Sequence, residues 1–149
     1  MSGRQTEKRQ AWNKALGPAL IVDDDLDDAK LTKRAIEALR PIFPVRMVHS
    51  GKDLLAYLEN KGSYSDLSAN PIPSLVLLDL KMPEMDGFEV LKWVKREPKH
   101  AYIPVVVVSA LEDVHHLKRA YSLYASSYLF KPINVESVRS VVSSLNIAI

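Results

Sequence analysis

The chain has 149 residues, 47% of them hydrophobic and 26% charged, with a formal net charge of +2 and no cysteine, which is the composition of one globular domain of ordinary size. Disulfides and thiolate metal sites are thereby excluded. Arg4, Lys8, Arg9 and Lys14 against Glu7 place +3 ahead of Gly17 and leave −1 for residues 17–149, a folded part with no basic face or groove-reading motif, so no nucleic acid is expected as a partner.

Residues 1–17 begin "MSGRQTEKRQAWNK". They lack the apolar segment of a signal peptide and are expected to form a flexible N-terminal extension ahead of one domain over 18–149. Trp12, in this polar stretch, is expected to be disordered. No stretch approaches the ~18 apolar residues of a membrane span, so no membrane partner and a cytoplasmic location are expected.

"ALIV" (19–22) predicts the first strand, and five carboxylates follow within six positions, Asp23 to Asp28. Asp27 and Asp28 open a helix over 27–39 that stops before Pro41; the pair is expected to be solvated charge at the positive helix end, and Asp25 has no evident task. "PVRMV" (44–48) predicts the second strand. A helix over 50–62 opens with Ser50 and Asp53 in capping-box spacing and closes at Gly62. "GSYSDLSANPIP" (62–73) reads as a long, mobile loop. The third and fourth strands, "SLVLL" (74–78) and "IPVVVVS" (103–109), are apolar at nearly every position, as in parallel strands covered on both faces. Between them Asp86 caps a helix over 87–97 whose Phe88, Leu91 and Val94 share a face. A helix over 112–124, the strand "SYLF" (127–130) and a helix over 134–145, with Val135, Val138, Val142 and Leu145 at helical spacing, complete the chain. His49, His100, His115 and His116 match no ligand spacing and are expected to be solvated or half-buried.

Five β-α units in alternation predict an α/β fold with a doubly wound five-stranded parallel sheet and five helices. Ligands in such folds sit at the carboxyl ends of the strands. Those ends deliver Asp23 and Asp24 from the first strand, His49 and Ser50 from the second, Asp79 from the third, Ser109 from the fourth and Lys131 from the fifth. Three carboxylates brought together would drive one pKa upward unless a cation relieved them, and a hard, oxygen-bound ion that accepts carboxylates beside water and phosphate is Mg²⁺. Carboxylate, Mg²⁺ and lysine are also the equipment for moving a phosphoryl group onto an aspartate. Asp79, at the end of a central strand, is the expected acceptor, with Asp24 and less directly Asp23 holding the metal. Lys131 and Ser109 are expected to bind phosphoryl oxygens.

With "IVDDD", "LVLLDLKMPEMDGFEVL", "IPVVVVSA" and "SYLFKPI", the chain resembles the receiver domains of two-component response regulators from about Ala19 to Leu145. The resemblance implies strand order 2-1-3-4-5 and a phosphoryl group received by Asp79 from a sensor histidine kinase. It implies a metal pair of Asp23 and Asp24 and a metal-binding backbone carbonyl on Lys81. Ser109 falls at the family's hydroxyl switch position, Tyr128 at its switch aromatic and Lys131 at its lysine, with a cis bond to Pro132. Gly87 is expected to supply the backbone freedom for the turn beneath the acceptor, and small Ala110 to leave the phosphoryl accessible. Departures are Tyr124, where many receivers have glycine, and the bulky Lys81. "DDDLDDAKLTKRAIEAL" with "YLENKGSY" is further similar to stand-alone receivers that partner bacterial phytochromes.

The expected function is thus a phosphoacceptor signalling protein, not an enzyme in the ordinary sense, that switches the surface of its fourth helix, fifth strand and fifth helix. With nothing expected after Ile149, its output is expected to be exerted by contact. Val141, Leu145, Ile147 and Ile149 look too apolar for a free C-terminus and suggest a homodimer through that surface. Three alternatives are a phosphate shuttle or sink for a kinase, a partner-binding pseudo-receiver without phosphorylation, and a haloacid-dehalogenase-type phosphatase using Asp23 and Asp25.

Overall fold

Five short apolar runs form the strands of a parallel sheet: β1 (Ala19–Val22), β2 (Val45–Val48), β3 (Leu75–Asp79), β4 (Val105–Ser109) and β5 (Ser127–Phe130), in the order β2-β1-β3-β4-β5. The computed structural model describes residues 17–82, 84–110, 114–145 and 147. Five helices alternate with the strands: α1 (Leu26–Glu37), α2 (Gly51–Glu59), α3 (Gly87–Arg96), α4 (Val114–Ser122) and α5 (Val135–Ser144). Residues 1–16 of the N-terminal extension, Trp12 among them, the first two residues of the expected fourth helix and Ile149 lie outside the described residues.

Alternation along each strand sorts the core into two layers. Leu20, Val22, Val76, Leu78, Val105 and Val107 face α2, α3 and α4, where Leu54, Leu91 and Ala120 are buried. Ala19, Ile21, Leu75, Leu77, Val106 and Val108 face α1 and α5, against Ile36, Val138 and Val142. Every residue of β1, β3 and β4 is buried, as the unbroken apolar runs require.

Four helices open on a side chain that accepts an otherwise orphaned backbone N–H. Asp25 accepts from Asp28, Ser50 from Asp53 and Asp86 from Glu89, and Asn134 forms a reciprocal capping box with Ser137. Asp25 is therefore the N-cap of α1, a task the sequence reading left unassigned. The helix after Ser50 closes two residues before the expected Gly62: Asn60 takes the left-handed conformation (φ 55°) as its C-cap, which asparagine tolerates better than most residues. The helix expected over 27–39 likewise ends at Glu37, with Arg40 left-handed (φ 52°).

The 62–73 loop is tied down rather than free. A short 3-10 turn spans Gly62–Tyr64, Tyr57 Oη donates to Pro71 O at 2.8 Å, Arg46 donates to Ala69 O at 3.0 Å, and Asn70 donates to Asp66 O through both its backbone N–H (2.9 Å) and its side chain (3.0 Å). His100 is buried, stacked on Trp93 with ring centroids 5.1 Å apart, and burial holds its pKa below the ordinary imidazole value. This corrects the solvated or half-buried reading, which holds for His49, His115 and half-buried His116. Val141 is buried, and Leu145 and Ile147, each partly buried, pack against the same core layer, so their own chain takes up part of this apolar surface.

Tyr124, in the turn before β5, takes the left-handed conformation (φ 71°) that favours glycine and is 76% exposed. Gly87 matters for a reason other than backbone freedom. A Cβ there would lie 2.5 Å from Asp79 O and 2.6 Å from Leu80 Cα, so the missing side chain lets α3 seat against the end of β3. Gly87→Ala is expected to destabilise the fold by about 1–3 kcal/mol, seen as a lower midpoint in urea with the slope unchanged.

Candidate functional site

Register decides which side chains meet at the carboxyl edge. Val22 pairs with Leu78 and Asp79 with Val108, so Asp23, one residue past β1, stands beside Asp79. Ser109 pairs with Phe130, which places Lys131 directly after the pair. The edge is stitched by Asp23 N donating to Val48 O (3.2 Å) and Lys131 N donating to Ser109 O (2.9 Å). The Lys131–Pro132 peptide is cis.

Asp23, Asp24 and Asp79 each present a carboxylate oxygen within 4.8 Å of the others. Asp23 and Asp79 are buried and Asp24 is exposed. Asp23 Oδ1 accepts the backbone N–H of Asp25 at 2.9 Å, and Asp79 Oδ1 accepts that of Lys81 at 3.2 Å. Across the cluster, Lys131 Nζ lies 2.9 Å from Asp28 Oδ2, 3.2 Å from Asp23 Oδ2 and 3.4 Å from Asp79 Oδ2. Asp28 is thus a member of the site and not a solvated helix-end charge. Its signal lay in the spacing: one turn into a helix that starts at the edge, its side chain projects back towards the strand ends.

A cavity of about 270 Å³ opens over this cluster, lined by Asp24, Asp79, Lys81, Ser109, Ala110 and Lys131 among others. Ser109 is buried at its wall and Ala110 is exposed. Tyr128 is buried on the same strand as Lys131's approach, its ring 5.0 Å from that of Phe130. The structure therefore brings Asp23, Asp24, Asp79, Lys81, Ser109 and Lys131 together, whereas Tyr128 lies deeper in β5, paired with Val107 and outside the cavity lining. The histidines stay away from the cavity lining.

Electrostatics follow from the crowding. Burial pushes the Asp79 carboxyl up, with the negative charge of Asp23 adding to it, and Lys131 and the Lys81 N–H only partly offset this; the result is about 6. Burial works against the charge on Lys131, but the Asp28 hydrogen bond and the charges of Asp79 and Asp23 outweigh it and hold its pKa above the ordinary lysine value. The donor set suits a hard divalent cation: three carboxylate oxygens, two of them from buried residues, with no sulfur or imidazole among them.

A doubly wound 2-1-3-4-5 sheet with an acid triad and a lysine at its carboxyl edge is the architecture of a signalling receiver. The chain belongs to the response regulator receiver domain family, whose model matches residues 19–143. It is 36% identical over 126 residues to the probable methanogenesis regulatory protein FilR2 of Methanothrix harundinacea, covering 85% of this chain and 79% of that one. Among solved structures it is similar to the bacteriophytochrome response regulator AtBRR (TM-score 0.78, 33% identity, 89% of this chain and 94% of that one). It is also similar to the Mn(2+)-bound form of the response regulator Rcp1 (TM-score 0.72, 28% identity, 87% and 91%), a protein of Synechocystis sp.. Family membership displaces the dehalogenase-type alternative, as does the engagement of Asp25 in capping α1.

A raised acceptor pKa has a defined sign in stability. Because the folded Asp79 pKa of about 6 lies above the unfolded carboxyl's 3.8, its contribution is fully present below 3.8 and is lost as pH rises through about 6. Asp79→Asn is therefore expected to stabilise the metal-free protein by about 1–3 kcal/mol at neutral pH, the gain shrinking as pH falls towards 4. Urea melts of both proteins across that range check it; a gain that grows on acidification would contradict it.

Proposed function

We propose that this protein is a response regulator whose Asp79 accepts a phosphoryl group from a sensor histidine kinase, of the phytochrome type by analogy with its structural neighbours. The observation that carries the reading is the convergence of Asp23, Asp24 and Asp79 within 4.8 Å, faced by Lys131. Residues 18–149 form the receiver unit and 1–17 its extension.

In the transfer, an Asp79 carboxylate oxygen attacks phosphorus, the P–N bond to the kinase imidazole breaks, and that nitrogen leaves with the electron pair and takes a proton. Asp79 is held for attack by its backbone anchor: β3 fixes the main chain, and the Lys81 N–H fixes Oδ1, which leaves Oδ2 facing the ammonium. Lys131 neutralises charge on the transferred group, and the Ser109 hydroxyl donates to another of its oxygens. Mg²⁺, held by Asp23, Asp24, Asp79 and the Lys81 carbonyl, would supply the charge neutralisation that lets an anionic group approach three carboxylates. That the similar response regulator Rcp1 has a Mn(2+)-bound form supports a divalent cation as the ligand here.

Movement of Ser109 towards the phosphoryl group then shifts α4 and β5 between two arrangements, with Tyr128 following. The α4-β5-α5 surface offers exposed Val114, Tyr121 and Phe130 to a second copy of the chain or to a downstream partner.

Labelling with acetyl phosphate and Mg²⁺, read by intact mass and peptide mapping, tests the assignment. One phosphoryl group is expected on Asp79, none in Asp79→Asn, and labelling about a hundredfold slower in Lys131→Ala. Label retained in Asp79→Asn but lost in Asp23→Asn would overturn it.

A further inference from the structure

An ammonium group has three N–H donors, and in this structure three carboxylates take them. The nearest is not the acceptor: Lys131 Nζ is 2.9 Å from Asp28, 3.2 Å from Asp23 and 3.4 Å from Asp79. A phosphoryl oxygen on Asp79 gains Lys131 only by displacing one of them. The three differ in what displacement costs. The Asp23 and Asp79 side chains are 4% and 7% exposed, whereas Asp28 is 39% exposed; a carboxylate that water can reach gives up its partner without being left as a buried, unpaired charge.

The surroundings of Asp28 fit such a release. Its backbone is fixed, with its N–H donating to the Asp25 cap at 3.0 Å, so only the side chain has to turn. It borders the acceptor cavity and also a second cavity of about 330 Å³ on the outer side, which is lined by Leu31, Thr32, Pro132 and Ile133 and shares Asp28, Ala110 and Lys131 with the first. Lys131 stands in the wall between the two.

We propose that Asp28 is a positioning residue that holds the Lys131 ammonium at the outer wall and sets how readily Lys131 is released to a phosphoryl group on Asp79. The inference rests on the acceptor reading given above. It carries two consequences of opposite sign. Without the Asp28 carboxylate Lys131 has no outer partner to leave, so a phosphoryl mimic binds more tightly. The same ammonium then stays on Asp23 and Asp79 and competes with Mg²⁺, so the metal alone binds more weakly.

Isothermal titration calorimetry of the full chain with Mg²⁺, and then with beryllofluoride at saturating Mg²⁺, separates these effects for wild type, Asp28→Asn and Asp28→Ser. Asp27→Asn is the control, since it removes the same charge one residue away from an exposed side chain that is not among the partners of Lys131. Both Asp28 variants are expected to bind beryllofluoride about three- to fivefold more tightly and Mg²⁺ more weakly by a similar factor, with Asp27→Asn near wild type and Asp28→Glu restoring wild-type values. Shifts shared by Asp27→Asn, shifts of the same sign for both ligands, or no shift in either Asp28 variant would overturn the positioning role and leave the acceptor reading intact. A wild-type protein that binds neither ligand would overturn the acceptor reading and this inference with it.

Discussion

One ammonium group makes the carboxyl edge of this sheet tenable. β1 ends in Asp23 and Asp24, β3 ends in Asp79, and α1 adds Asp28; Lys131 reaches three of these four carboxylates within 3.4 Å. Two of them are almost fully buried, where an unpaired charge would be expelled or protonated. The lysine offsets only part of the cost: burial first, and then the charge of Asp23, hold the Asp79 carboxyl above its ordinary range. The cost that burial and the neighbouring Asp23 charge leave on Asp79 is what a divalent cation can relieve by adding positive charge, and an incoming phosphoryl group offers Lys131 a new partner.

The rest of the fold keeps that edge in register. Parallel pairing from Ala19↔Leu75 to Val22↔Leu78 and from Val76↔Val105 to Asp79↔Val108 sets the heights of the acids and of Ser109, and buried valines and leucines on both faces prevent a slip, because a one-residue shift would turn every side chain to the opposite layer. Gly87 lets α3 approach the backbone of Asp79 and Leu80, and Asp25 fixes the start of α1 so that Asp28 faces the lysine. Structural and chemical roles are thus interleaved within six residues: Asp23 and Asp24 belong to the acid triad, Asp25 to the helix cap, and Asp28 to the lysine.

Much of this was legible in the sequence because apolar runs of strand length alternate with helical periodicity, and because parallel strands bring their carboxyl ends to one edge. Asp23, Asp24, Asp79, Ser109 and Lys131 followed from that rule alone. The tasks of Asp25 and Asp28 did not, since one boundary residue decides which carboxylate caps a helix and which points back to the strands. Gly87 was assigned to a turn although its reason is a tertiary contact, which no local pattern carries. Val141, Leu145 and Ile147 suggested a partner because their packing against the core layer shared by α1 and α5 depends on how α5 lies across the sheet. His100 was misread for the same reason: its stacking on Trp93 joins the end of α3 to the segment before β4.

The central claim is that these acids form one cation site next to the acceptor. A crystal soaked in Mn²⁺ and measured at the manganese absorption edge tests it most directly. The account predicts a single anomalous peak at about 2.1 Å from oxygens of Asp24 and Asp79, with Asp23 in the same cluster. Carboxylates that splay apart with no peak between them, or a peak held by other residues, would contradict it.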